Sequence, residues 1–225
     1  RIGTDITMAQ IRADFDAVFM GLGAQAGRAL PVEGADAPNC VTATAFLKAF
    51  NDGRLRHVGK RVVVVGGGDT SIDVATVARR LGNIDQIHES DRPENVIAGH
   101  MAQDVAEASV RQGAEVTLTS IFAVDKMQAS RHEVEHAQGE GITIRGGMAP
   151  VAVLRGPDGR ATALRVVRCE ARIVAGKLQI NNIDGSEEDI EADLIVSAIG
   201  QAVDFTGLED FDNGKGAINS DKNYQ

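Results

Sequence analysis

The sequence predicts an α/β fold: a central parallel sheet with flanking helices, joined to an antiparallel β-meander. Three observations carry this expectation. The run Arg61-Val-Val-Val-Val65 leads straight into Gly66-x-Gly68-x-x-Ser71 and then into a helical pattern. A short β-branched run of this kind suits a strand covered on both faces of a parallel sheet. Further on, residues 151–154, 161–168 and 172–180 have strand character and are broken by Gly156-Pro-Asp-Gly159 and Ala175-Gly176, both turn signals. Finally, 43% of the 225 residues are hydrophobic but only 4% are aromatic, with no Trp, which favours aliphatic packing of helices on a sheet.

Taken in order, residues 16–24 read as a short buried strand ending in a glycine turn. Residues 27–38 are loop-like, with Pro31, Gly34 and Pro38, and residues 42–51 are helical. The valine strand follows Gly59 and Lys60. Thr70-Ser-Ile-Asp73 has the spacing of a capping box. Ile72, Ala75, Val77, Ala78 and Leu81 then supply the apolar face of a helix that Gly82 ends. Arg79 and Arg80 stand in its last turn, where the helix dipole suffices to explain them. Residues 83–93 are polar, and a second helix is expected over 93–112. Gly113 opens a strand at 115–119. Ser130-Arg-His-Glu133 forms another capping box before a short helix reaching about Glu140, and a third strand is expected over 141–144. Residues 193–200 close the pattern with a buried strand ending in glycine. They parallel residues 16–23, each an acid followed by an apolar run and a glycine, so the two would bracket the unit between them.

Composition excludes several classes of partner. The net charge of −9 disfavours nucleic acid and anionic membranes. No apolar run approaches the ~18 residues of a membrane span. Arg1-Ile-Gly-Thr-Asp5 has no secretory pattern. Cys40 and Cys169 belong to no C-x-x-C, which fits a reducing compartment and argues against a redox dithiol. Both read as small buried apolar residues. A cytoplasmic location is expected. The chain starts with Arg1 rather than Met, so it is expected to be a piece of something longer.

A strand that turns through glycines into a helix offers backbone N–H groups and a positive helix end to a phosphate. Dinucleotide binding is therefore expected at Gly66, Gly67, Gly68, Asp69, Thr70 and the small Ser71. The competing explanations are a glycine turn needed only for close helix–sheet packing and, for Asp69 and Thr70, simple helix capping. A ribose-binding acid about 20 residues past the glycines would point to Glu89. Residues 84–89 are too polar for a doubly covered strand, however, so 115–119 is expected to be the second strand. That places Thr119 and Ser120 at the cofactor, makes residues 83–112 an insertion, and leaves Lys126 and Arg131 as the nearest cations. His132-Glu-Val-Glu-His136 matches the pattern of zinc peptidases. Its charged neighbours Arg131 and Glu135 and the lack of a signposted third ligand favour a solvated helix face. No metal site is expected. His57, His88 and His100 are isolated and carry no assigned role.

Several motifs in a fixed order carry a resemblance. They are residues 15–24, Val32-Glu-Gly-Ala-Asp36, residues 59–71, Glu133-Val-Glu135 before Glu140-Gly141, and Ala192-Asp-Leu-Ile-Val-Ser-Ala-Ile-Gly-Gln201. In this order the chain resembles the nicotinamide-binding domain of flavin oxidoreductases akin to the small subunit of glutamate synthase. The resemblance implies a Rossmann-like domain inserted in a flavin domain, with hydride passing between NAD(P)H and FAD. Electrons would then pass to an iron–sulfur or ferredoxin-type partner. The cofactors carry such chemistry, so no catalytic side chain is expected. The implied organisation is a flavin-domain remnant with linker over 1–58, and a nucleotide domain over 59–192 whose meander spans about 150–180. A return strand with the start of a second flavin-domain half follows over 193–225. Gly23, Gly200 and Gln201 join the cofactor-binding set at the ends of the two crossing strands. Residues 1–14 hold no FAD fingerprint, so most of the flavin site is expected to lie outside this chain. Members that use NADPH place an Arg pair where this chain has Ser120-Ile-Phe122, and no acid stands at Thr119. The choice between NAD and NADP therefore stays open. The rival reading is a nucleotide-sensing or assembly module without catalysis; a zinc peptidase is the remote one.

Overall fold

The computed structural model describes residues 1–82, 89, 92–99 and 113–220. The chain divides into two compact units, Gly27–Gly200 and a terminal unit of Arg1–Ala26 with Gln201–Gln225. Two-residue strands, β1 at Ala26–Gly27 and β11 at Gln201–Ala202, stand where the chain passes from one unit to the other.

In the terminal unit, helix α1 spans Met8–Asp14 and starts at a capping box of Thr7 with Gln10. The Arg12 guanidinium lies 5.5 Å from the Phe211 ring centroid. The expectation of a buried strand over residues 16–24 is not met. No strand forms there, and Phe19 is 95% exposed. Among the described residues no neighbour completes a ladder with this run, and an apolar segment becomes a strand only where its backbone groups are paired.

The larger unit has three layers. Its centre is a five-stranded parallel sheet in the order β2 (Cys40–Thr42), β10 (Leu194–Ser197), β3 (Arg61–Val65), β4 (Glu115–Ser120), β5 (Thr143–Gly146). Helices α2 (Ala43–Asn51), α3 (Asp69–Leu81), α4 (Pro93–Ile97) and α5 (Arg131–Gly139) cover one face. Of the meander β6 (Met148–Arg155), β7 (Ala161–Val174), β8 (Lys177–Asn182) and β9 (Glu188–Glu191), strands β6, β7 and β9 supply the cover on the other, and β8 is exposed throughout. The valine run explains why both faces are dry. Val62 and Val64 pack into the helix-side core, while Val63 and Val65 pack into the meander-side core with Leu164, Val166 and Ile195. A strand has a side-chain period of two, so a run with no polar position must be covered twice.

The expected α/β architecture with parallel sheet and meander is therefore present. Strand β4 pairs in parallel with β3, Val62 opposite Val116 and Val64 opposite Leu118. Residues 84–88, the competing candidates, lie outside the described residues. One detail differs. The helix expected over 93–112 ends at Ile97, with Gly99 at φ +96° just beyond it; residues 100–112 lie outside the described residues. The run 172–180 breaks where its turn signal stands: Ala175 and Gly176, both at positive φ, reverse the chain. Beyond Cys169, β7 pairs only with β8. Residues 193–200 hold the expected buried strand as β10, which lies between β2 and β3. Here the two similar sequences part company: one has a strand neighbour on each side, the other has none. Among the described residues no helix is long and apolar enough to cross a membrane.

Two polar devices hold the lower ends of these strands. Asn39 is completely buried. Its amide donates to the carbonyls of Ala161 at 2.9 Å and Asp193 at 2.8 Å, and its side-chain oxygen accepts the Ala161 N–H at 2.7 Å. It thereby ties the meander to the parallel sheet. Asp193 accepts the Arg61 backbone N–H at 2.9 Å and one guanidinium nitrogen at 2.7 Å. A Cβ on Gly59 would come 2.6 Å from the Asp193 Cβ, so only glycine lets the two strands start side by side.

Removing Asn39 should be expensive, because its partners would remain buried and unpaired. Asn39→Ala is expected to cost about 3 kcal/mol in urea denaturation. Burial raises the Asp193 carboxyl, but its hydrogen bonds with Arg61 outweigh that and hold it below its ordinary 3.8. A folded value below the unfolded one means stability present above about pH 4 and lost as pH falls through the lower folded value. Asp193→Asn should accordingly be less stable at pH 7 and show a shallower acid transition by circular dichroism.

Candidate functional site

The chain leaves β3 towards β4 by way of α3, whereas β10 lies on the other side of β3 and is reached through the meander. The carboxyl ends of β3 and β10 therefore mark a topological switch point, the place where parallel α/β sheets take their ligands. The glycine turn lies there, and its three glycines do different work. A Cβ on Gly66 would stand 2.5 Å from the Ala198 carbonyl oxygen, just past β10. One on Gly67 would meet the Ser120 Oγ at 2.6 Å. One on Gly68 would meet nothing nearer than the Gln128 Oε1 at 3.9 Å. Gly66 and Gly67 thus let the backbone thread between neighbouring strands, and Gly68 borders open space.

The capping box expected at Thr70 and Asp73 does not form. Helix α3 starts earlier, with Gly68 at the N-cap and no side-chain cap. A glycine cap leaves the first-turn donors without a side-chain acceptor. Among the described residues, no acceptor takes the N–H groups of Gly68, Asp69 or Thr70. Ser71 is fully buried, and its hydroxyl donates to the Gly68 carbonyl at 2.6 Å. It tightens the turn rather than facing outward.

The other sequence-selected residues scatter. Thr119 is fully buried; its carbonyl accepts the Gly66 N–H at 2.9 Å and its hydroxyl lies 3.5 Å from the Val64 carbonyl. Ser120 is buried, with its Oγ accepting the Phe122 N–H at 3.1 Å. Both residues lie beside the glycine turn, Thr119 through the Gly66 N–H and Ser120 against Gly67. Lys126 is exposed in a 3-10 turn, Val124–Lys126, and Arg131 pairs with Glu135. Gly200 carries φ +124°, and its carbonyl accepts the Arg28 N–H at 3.1 Å. Gly23 and Gln201 belong to the terminal unit, not to the unit that holds the turn. His132 and His136 are exposed on α5, and among the described residues no group of three metal-binding side chains occurs. Glu89 is exposed.

Sequence reasoning missed the segment from Met127 to Ser130. The Ala129 N–H donates to the Gly67 carbonyl at 3.0 Å, and the Ser130 N–H to Asp69 at 3.4 Å. It also missed the second task of Arg79, which donates to the carbonyls of Glu140 and Ala114. Burial pushes the Cys40 thiol up to about 11 and raises that of Cys169. Neither forms a thiolate readily, as expected for packing cysteines.

A sequence profile described as pyridine nucleotide-disulphide oxidoreductase matches residues 7–225. The chain belongs to that family. Its members are NAD(P)H-dependent oxidoreductases, and membership implies a pyridine nucleotide and a flavin. Family resemblance extends to the NADPH-Fe(3+) oxidoreductase subunit beta of Geobacter sulfurreducens, 31% identical over 93% of this chain and 28% of that protein. The glutamate synthase [NADPH] small chain of Escherichia coli is 28% identical over 88% of this chain and 39% of its own length. FprA of Mycobacterium tuberculosis, solved in complex with NADPH, superposes with a TM-score of 0.69 at 18% identity. That match covers 98% of this chain and 58% of FprA, and it shows the fold. The chain thus spans less than two thirds of each of these proteins.

The division of labour among the glycines is open to test. Gly66→Ala drives a Cβ into backbone and is expected to cost about 1–3 kcal/mol of stability, the usual range for overpacking. Gly68→Ala should cost at most about 1 kcal/mol, the loss of a good N-cap residue. Thermal and urea melts of both variants would check the order.

Proposed function

We propose that the Gly27–Gly200 unit binds NAD(P)H for a flavin-dependent oxidoreductase. The parent protein would pass a hydride between the nicotinamide and FAD, and electrons on to an iron–sulfur protein. One observation carries the nucleotide reading. A 13-residue helix starts at an uncapped glycine beside open space, at the switch point of a parallel sheet. Free backbone donors and the positive end of a helix dipole suit a pyrophosphate. Gly68 lets it approach, while Gly66, Gly67 and Ser71 hold the turn in shape and Thr119 and Ser120 back it. The bound nucleotide supplies the hydride; the chain's own groups hold and orient it.

The relatives named above support the wider reading, since two are described as NADPH enzymes and one as a subunit. Neither an acid nor an arginine stands at the end of β4 to choose between NAD and NADP. The glycine turn at Gly66 is the one strand–glycine–helix turn among the described residues, so the flavin is assigned to the parent protein. The zinc reading finds no support in the exposed helix that carries His132 and His136.

Gly68→Val tests the placement. The branched side chain would fill the approach to the free N–H groups while Gly68 sits at φ −104°, a value any residue adopts. Calorimetric titration is expected to show NADH and NADPH binding reduced roughly 100-fold, the loss of about two charge-assisted hydrogen bonds. Unchanged affinity for both nucleotides would remove the site from this turn.

A further inference from the structure

Gln128 lies in a short segment pinned to the glycine turn on both sides. Ala129, its neighbour, donates its N–H to the Gly67 carbonyl at 3.0 Å, and Ser130 donates to Asp69 at 3.4 Å. A Cβ on Gly67 would also lie 3.7 Å from the Met127 Cγ. The backbone on each side of Gln128 is thus fixed against the turn. Its own side chain is exposed, and among the described residues no hydrogen bond engages it. Its amide end is also the nearest group to the open side of Gly68, at 3.9 Å from the position of a Cβ there.

We infer that Gln128 is a binding residue of the dinucleotide site, its side-chain amide donating to the pyrophosphate across from the backbone N–H groups of Gly68, Asp69 and Thr70. The inference rests on the nucleotide reading given above. A glutamine amide presents a donor on one side and an acceptor on the other, and half a turn exchanges them. The NH2 group can therefore face Gly68 without moving the loop. A neutral donor also suits the place: Asp69 stands in the same turn, and its carboxylate is taken up by Ser130. Gln128 would complete a cradle whose other wall is backbone. It would read the phosphates common to all dinucleotides and not the group that separates NADH from NADPH.

Calorimetric titration of the full chain with ADP-ribose, NADH and NADPH tests this, with thermal melts as the check on folding. Gln128→Leu should weaken all three ligands alike, by about tenfold, the size of one hydrogen bond to a charged group. Gln128→Glu should weaken them further by setting like charges together, and Gln128→Lys should restore or exceed the original affinity. A merely structural role for an exposed side chain would not follow the sign of its charge. If the Leu and Glu variants bind as the parent chain does while Gly68→Val has lost binding, Gln128 is excluded and the site stands. A loss confined to NADPH would place Gln128 at the 2′-phosphate and overturn the assignment. If the unaltered chain binds none of the three, or Gly68→Val binds them normally, the nucleotide reading itself fails.

Discussion

The double burial of β3 is the constraint on which the rest of this structure depends. Four successive valines have at most 2% exposure each. Two of them need helices and two need a second sheet, so neither layer can be dispensed with. A lone α/β layer would leave Val63 and Val65 wet, and the cost of exposing two such side chains, roughly 1.5–3 kcal/mol each, rivals a good part of a domain's net stability. The meander is therefore a structural half of the larger unit, although it lies on the face away from helix α3.

The same strand positions the site. Its start is locked by Arg61 on Asp193 and its end by Gly66 between the Ala198 and Thr119 carbonyls. With both ends held, the turn that follows has little freedom, and the first donors of α3 stay without an acceptor among the described residues. Preorganised donors lower the ordering cost of binding. The division among Gly66, Gly67 and Gly68 follows from this: the first two satisfy neighbouring strands, and only the third is left facing outward.

Much of this was legible because it is local. The helix ending at Asn51, the switch from valines to glycines at Val65 and Gly66, the Ala175-Gly176 reversal and the charged face of α5 each depend on a few adjacent residues. What misled was context that a window cannot see. Residues 16–23 and 193–200 carry the same pattern, yet β10 is buried at the sheet centre and residues 16–24 form no strand. Thr70 and Asp73 have capping spacing, but the helix begins at Gly68, which removes the cap and frees the donors. Thr119 and Ser120 stand at the strand end as expected, but strand position does not say which way a side chain packs, and both turn out buried.

By itself the sequence determined the class of fold, the valine strand with the glycine turn that follows it, and the second strand at Glu115–Ser120, since hydrophobic period, glycine placement and turn chemistry are properties of neighbouring residues. Only the tertiary structure decided that β10 completes the sheet, that Asn39 fastens the meander to it, and that Gln128 lies over Gly68. Those facts join residues far apart in the chain. They are set by which surfaces find cover and which buried polar groups find partners, and a linear pattern records neither.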